Sequence, residues 1–261
     1  MENSSSIHKT ALIHPNAKIS NNVHIGAYSV VGQNVVIEPN CIIGNHVNIT
    51  GNTIIGENTK IYHSASIGED PQDKKYNGED TKLIIGKRNL IREFCTINKG
   101  TSQDKGETII GNDNWIMAYC HVAHDCSIGN QVILANNTTL GGHVQIDDYS
   151  VLGGATLVHQ FCKIGSHVMT AGGSGIQKDV PPFVITHGNF ASPVGINSEG
   201  LKRRGYTSDQ LSAIKKGYKI IYRQNKSIEE SLEGLKKLAK ENEVVNFYID
   251  FIKKSKRGLI R

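Results

Sequence analysis

Along this chain an aliphatic residue returns at every sixth position. The first run is Ile13, Ile19, Ile25, Val31, Ile37, Ile43, Ile49, Ile55, Ile61 and Ile67. The second is Ile110, Ile116, Val122, Ile128, Leu134, Leu140, Ile146, Leu152, Val158 and Ile164, followed at the same spacing by Thr170 and Ile176. A period of six fits neither the 3.6 of a helix nor the 2 of a strand, so the repeating unit is supersecondary, the hexapeptide of a parallel β-helix. The pattern lapses through GEDPQDKKYNGEDTKLI, resumes at Ile85, Ile91 and Ile97, and lapses again over NKGTSQDKGETI. These polar lapses, about 68–84 and 98–109, read as loops projecting from the coil, where a rigid scaffold often carries binding residues.

Strand side chains alternate, so the aliphatic position and the residue two before it both face the narrow interior, and the second is small. Cys41, Cys95, Cys120, Cys126 and Cys162 all occupy that small inward slot. The run Cys120, His121, His124, Cys126 has zinc-like spacing, but inward sulfurs do not meet outward imidazoles, so no metal is expected there. Cysteines scattered along a rod are not expected to pair as disulfides either. Glycine often follows the aliphatic residue, as at Gly26, Gly32, Gly44, Gly56, Gly86, Gly111, Gly129 and Gly165, which suggests corners with positive φ. Three hexads make one coil of about 18 residues, with successive coils about 4.8 Å apart.

Asp179, Val180, Pro181 and Pro182 stop the coil, because two prolines cannot feed a sheet ladder. Thr207 to Gln210 and Ser227 to Glu230 are capping boxes, Leu211, Ile214, Tyr218 and Ile221 form an apolar stripe, and Glu243 to Lys254 is amphipathic. The chain therefore divides into an all-β main domain over 1–196, a parallel β-helix of hexapeptide repeats, and a small α-helical C-terminal domain over 197–261. Residues 197–261 hold 16 Lys/Arg and 8 Asp/Glu and the remainder 13 and 16, so the tail is +8 and the coil −3. That split suits an acidic partner at the tail. The opening MENSSSIHKT has no charged start followed by an apolar run, and no stretch approaches a membrane span, so a cytoplasmic protein without stable membrane insertion is expected.

Val122, Leu140 and Val158 lie one coil apart, so the residues after them stack on one edge. That register places His124, His143, His159 and Gln160 together, with His121 across the corner. A neutral imidazole can take a proton from an alcohol, an effect worth roughly 10²–10⁴ in rate. Gly141 and Gly142 share the edge, where a backbone N–H can approach a reacting carbonyl and stabilise its oxyanion. Base plus oxyanion donor fits acyl transfer. No serine elbow or exposed thiol offers a nucleophile, so direct attack on an activated acyl donor is the simpler scheme.

At these residues the sequence resembles the family of acyl-[acyl-carrier-protein]:UDP-N-acetylglucosamine O-acyltransferases that begin lipid A biosynthesis. The segments that carry the resemblance are IGEDPQDKKY, HVAHDC, GNQVILANNTTLGGHV, VHQFCKIGSHVM, DVPP with the following V-x-x-x-GN, GINSEGLKRRG and RGLIR, spread over nearly the whole chain. The resemblance implies a left-handed β-helix and a homotrimer with sites between subunits. It also implies transfer of an (R)-3-hydroxyacyl group from the phosphopantetheine of acyl carrier protein to the glucosamine 3-hydroxyl, with no permanently bound cofactor and no nucleic acid. It makes His124 the general base and Gly142 the oxyanion donor, with Asp125, next to His124, either polarising and orienting the imidazole or serving as a turn residue. His121, His143, His159, Gln160, Asp73 and Lys75 match substrate contacts. Asn197, Glu199, Arg203 and Arg204 match the nucleotide end, where arginine forks suit phosphate. Met169, Gly172 and Gly173 match the region that measures acyl length.

The chain departs from the family pattern at Asn98 and Lys99, where His-Arg is expected, and at Phe190, where a polar residue is expected. Some relatives acylate a 3-amino sugar, so the same reaction on that acceptor competes with the 3-hydroxyl. Three rivals share the fold: a later N-acyltransferase or acetyl-CoA enzyme, a γ-type carbonic anhydrase binding zinc through His121, His124 and His143, and a non-catalytic scaffold.

Overall fold

The computed structural model describes residues 5–261. Short strands, most of two residues, stack into three parallel sheets of 11, 9 and 8 strands, the sides of a triangular coil. Each strand pairs with the one a coil later, as Ile25 with Ile43 on the first sheet, Val122 with Leu140 on the second and Ile128 with Ile146 on the third. The repeated aliphatic residues fill the interior: Ile37, Ile55, Leu134 and Leu152 are fully buried, and all five cysteines are buried and free.

The corners correct one expectation. The residue with positive φ is not the glycine after the aliphatic position but the one three places after it, such as Asn22 (57°), Asp125 (58°) and His143 (62°). Each corner is a tight turn whose second central residue takes the left-handed conformation, as in type II turns. The glycine serves the stacking of coils instead: a Cβ at Gly44 would sit 2.7 Å from the His63 nitrogen, and one at Gly56 2.5 Å from the Gly86 carbonyl carbon.

The two loops run between strands Ser66–Glu69 and Lys82–Ile85, and between Thr96–Asn98 and Glu107–Ile110. They are shorter than the lapses in the pattern because these strands extend past the standard two residues. The first sheet ends in an antiparallel pair, Val184–His187 with Ser192–Ile196. Four helices follow: α1 (Ser198–Arg203), α2 (Ser208–Tyr222), α3 (Ile228–Ala239) and α4 (Asn246–Lys254). Both capping boxes close, Thr207 with Gln210 and Ser227 with Glu230. Leu235, Ile214 and Tyr248 form the centre of a second core, onto which Phe183 packs from the end of the coil.

Candidate active site

His124 and Asp125 occupy the corner between the second and third sheets, just past strand His121–Val122. The left-handed turn at Asp125 folds its carboxylate back against the neighbouring imidazole. A carboxylate only accepts, so His124 donates through Nδ1–H to Asp125 Oδ2, at 2.8 Å. That leaves Nε2 as the basic nitrogen. Asp125 is buried, and burial works against its charge, yet the bonds from His124 and from Thr101 outweigh that and hold its pKa below the ordinary carboxylate value.

One coil on, Gly142 lies against the same imidazole. A Cβ there would stand 2.6 Å from His124 Cε1 and 2.7 Å from Nε2, so only glycine lets the ring occupy its place. The Gly142 N–H makes no hydrogen bond to any described residue. A base whose tautomer is fixed, with an unspent amide beside it, is what acyl transfer to an alcohol needs.

His143 completes the cluster, edge-on to His124 with ring centres 5.1 Å apart and stacked on Phe161 at 4.3 Å. His121 sits on the outer face of the second sheet, hydrogen-bonded to Thr96 Oγ1 at 2.7 Å; burial first, then the nearby His124, pulls its pKa below that of a free imidazole. His159 and Gln160 are exposed on the same edge another coil along.

The sequence pattern does not reveal the residues that hold this cluster. Thr101, on the second loop, donates to Asp125 through both its backbone N–H (2.9 Å) and its hydroxyl (2.7 Å), and Asp104 accepts from His143 Nδ1 at 2.9 Å. Both lie in the aperiodic stretch, where a six-residue period assigns no position. Thr108 Oγ1 accepts the Asp125 N–H at 2.8 Å; that residue does fall in the small inward slot, the one signal that could have found it.

Asp73 and Lys75 lie on the first loop, with the Asp73 carboxylate accepting the Lys75 N–H. Asn197 caps α1 and binds the His167 carbonyl, Glu199 pairs with Lys202, and Arg203 is exposed. The Arg204 guanidinium lies 4.0 Å over the Tyr149 ring and donates to Gln131 Oε1. It lines a cleft of about 1010 Å³ between the third sheet and the helices, together with Asp147, His167, Tyr206 and Lys254. Met169 faces outward on the first sheet, with Gly172 and Gly173 at the next corner, across the second sheet from His124. Among the described residues no hydrogen bond, ion pair or ring contact joins these groups to the histidine edge.

Asn98 donates to the carbonyls of Glu69 and Asp70, and its own Oδ1 is buried without a partner. Lys99 pairs with Asp70 at 2.8 Å. Phe190 is 70% exposed. His124, Asp125 and His143 offer donor atoms within 4.8 Å of one another, so a divalent ion has ligands here. His121, counted among the zinc ligands in the carbonic anhydrase reading, is not one of the group.

The model described as UDP N-acetylglucosamine O-acyltransferase, domain 2, matches residues 179–260, and that of the bacterial transferase hexapeptide matches 4–39 and 107–142. Coil, repeat and helical tail thus define a left-handed hexapeptide-repeat transferase. An acyl-[acyl-carrier-protein]–UDP-N-acetylglucosamine O-acyltransferase of Herminiimonas arsenicoxydans is 58% identical over 261 residues, 98% of this chain and 99% of its own. One from Thiobacillus denitrificans is 54% identical over 255 residues with the same coverage. Among solved structures, the UDP-N-acetylglucosamine acyltransferase of Francisella novicida superposes with a TM-score of 0.96 at 43% identity, over 98% of this chain and 94% of that one. The chain belongs to the acyl-[acyl-carrier-protein]–UDP-N-acetylglucosamine O-acyltransferase family.

Proposed function

We propose that this protein transfers an (R)-3-hydroxyacyl group from the phosphopantetheine thioester of acyl carrier protein to the 3-hydroxyl of UDP-N-acetylglucosamine, the step that opens lipid A synthesis. The observation that carries the mechanism is the His124–Asp125 pair at 2.8 Å beside the unbonded Gly142 N–H. Asp125 keeps the His124 proton on Nδ1, so Nε2 takes the proton from the sugar hydroxyl as its oxygen attacks the thioester carbonyl. Gly142 N–H stabilises the oxyanion. Collapse breaks the C–S bond, and the imidazolium returns its proton to the departing thiolate, leaving ester, thiol and neutral His124. Every proton is accounted for by these residues, with no metal or resident cofactor.

The named relatives support this reading over the 3-amino acceptor and over carbonic anhydrase. His121, His143, His159, Gln160, Asp73 and Lys75 are assigned to the sugar and acyl donor, Asn197, Glu199, Arg203 and Arg204 to the nucleotide, and Met169, Gly172 and Gly173 to acyl length. A homotrimer suits an apolar row on the outer face of the first sheet. Leu90, Trp115, Ile133, Val151, Met169 and Ile185 stand in register there, with Trp115 still 44% exposed in the single chain. Lys215, Lys216, Lys219 and Arg223 along α2 suit the acidic carrier protein. Among the described residues no helix is long and apolar enough to cross a membrane, and a cytoplasmic site is the one where the carrier protein would be met.

The test is an assay with (R)-3-hydroxyacyl carrier proteins of several chain lengths and UDP-N-acetylglucosamine, comparing wild type with His124→Ala. Product that disappears in the variant supports the assignment. No product from wild type with any donor, or full activity in the variant, refutes it.

A further inference from the structure

We infer that the second loop is a strap whose Asp104 is a positioning residue for the reaction, acting through His143. This rests on the acyl-transfer reading of the histidine edge. The loop leaves the coil after strand Thr96–Asn98 and is pegged at Thr101, which is 1% exposed and gives both its donors to Asp125. It turns at once: the Thr101 carbonyl accepts the Gly106 N–H at 3.1 Å, and the Gly106 carbonyl accepts the Lys82 N–H at 2.8 Å. Ser102 ties it to the first loop through Glu79 Oε1 at 3.0 Å. Only Asp104 then reaches the site from the outer part of the turn.

Its carboxylate accepts from His143 Nδ1–H, which leaves the other nitrogen, Nε2, on the Asp125 side of the ring, 3.8 Å from Oδ2. Phe161 fixes the plane of the ring from one side and Asp104 fixes its rotation within that plane. Without Asp104 the imidazole is free to flip or to exchange tautomers, and Nε2 no longer presents one defined hydrogen-bonding atom to substrate. One loop therefore holds both imidazoles, His124 indirectly through Thr101 and Asp125, and His143 directly through Asp104.

The test is a double-mutant cycle on kcat/KM with Asp104→Ala, His143→Ala and the double variant, with Asp104→Asn and the exposed neighbour Lys105→Ala alongside. Asp104→Ala is expected to lose about tenfold, the worth of one hydrogen bond to a charged group. It is expected to lose nothing further in the His143→Ala background. Asp104→Asn, which still accepts from Nδ1–H, recovers most of the loss, and Lys105→Ala matches wild type. Histidine ¹⁵N shifts give a second readout, with the His143 Nδ1–H tautomer kept in Asp104→Asn and lost in Asp104→Ala. Additive losses in the cycle, an unchanged tautomer in Asp104→Ala, or unchanged kinetics overturn the proposal. Wild type that turns over no acyl donor overturns the functional reading instead, a result the shifts distinguish from a failure of the Asp104–His143 link.

Discussion

Taking this protein from pH 7 to pH 5 is expected to remove about 2 kcal/mol of stability through a single imidazole, that of His167. His167 lies at the junction of coil and helices, 6% exposed. It stacks between Tyr149 and Phe183, at 4.9 and 5.7 Å, and its Nε2 is hydrogen-bonded to the Tyr206 hydroxyl at 3.1 Å. Burial first and the Arg204 guanidinium second, against the weaker pull of Asp148, bring its pKa from 6.5 down to about 4. The folded state thus refuses a proton that the unfolded chain accepts near pH 6.5. Stability is intact above that value and falls as the pH drops toward about 4, by up to about 1.4 kcal/mol per unit where one proton separates the two states. His167→Phe removes the proton and keeps the stack, and phenylalanine already holds the same left-handed corner conformation at Phe94 and Phe161. Denaturant unfolding of wild type and variant at pH 7, 6 and 5 isolates this contribution, because every other titrating group is common to both. The wild type should lose about 2 kcal/mol more than the variant over that interval. Parallel pH dependences would refute the reasoning.

Gly142→Ala places a methyl group where the His124 ring now lies, and kcat is expected to fall about 100-fold or more while the thermal midpoint stays close to wild type; near-normal turnover would remove Gly142 from the site. Thr101→Val takes one donor from the buried Asp125 carboxylate, so the titration of that carboxyl, followed by its ¹³C shift, should move to higher pH; an unmoved titration would remove Thr101 from its support. Gln160→Asn copies the corner where Asn130 accepts the Asn112 N–H from one coil further on. With the Gly142 N–H occupied in the same way, kcat should drop about 100-fold with the fold intact, as seen by circular dichroism.

The coil was legible because its constraint is periodic: one aliphatic residue per side, repeated, fixes which residues face in and which share an edge. That is enough to bury Cys120 and Cys126 and to place His124 beside Gly142. The chemistry of the edge was only half legible, because part of it comes from outside the period. Thr101 and Asp104 reach the site from a loop whose path depends on its own closure at Gly106, and nothing in the spacing of TSQDK announces that. The surroundings of Arg204 were hidden for a related reason. Its resting contacts, Tyr149 and Gln131, lie in hexads far away in sequence, visible only once coils are stacked against the tail.

On the proposed mechanism, the scaffold itself explains why acyl transfer would settle at such a corner. The N–H two places after an aliphatic residue often falls outside the strand ladder, being at the first central residue of the turn. Along the corner between the third and first sheets a chain of side chains covers it: Asn112 accepts from Lys87, Asn130 from Asn112 and Asp148 from Asn130, at 2.7–2.8 Å. Along the histidine corner the equivalent amides of His124, Gly142 and Gln160 find no acceptor among the described residues. An oxyanion donor is therefore latent in every uncovered corner of the coil, and on the proposed mechanism two choices would convert one into a site: glycine at 142, which lets a base approach, and a carboxylate at 125, which fixes that base's proton. The costly part of such a centre, a rigid donor already stripped of competing partners, comes from the repeat; the residues specific to the reaction are those that leave it open.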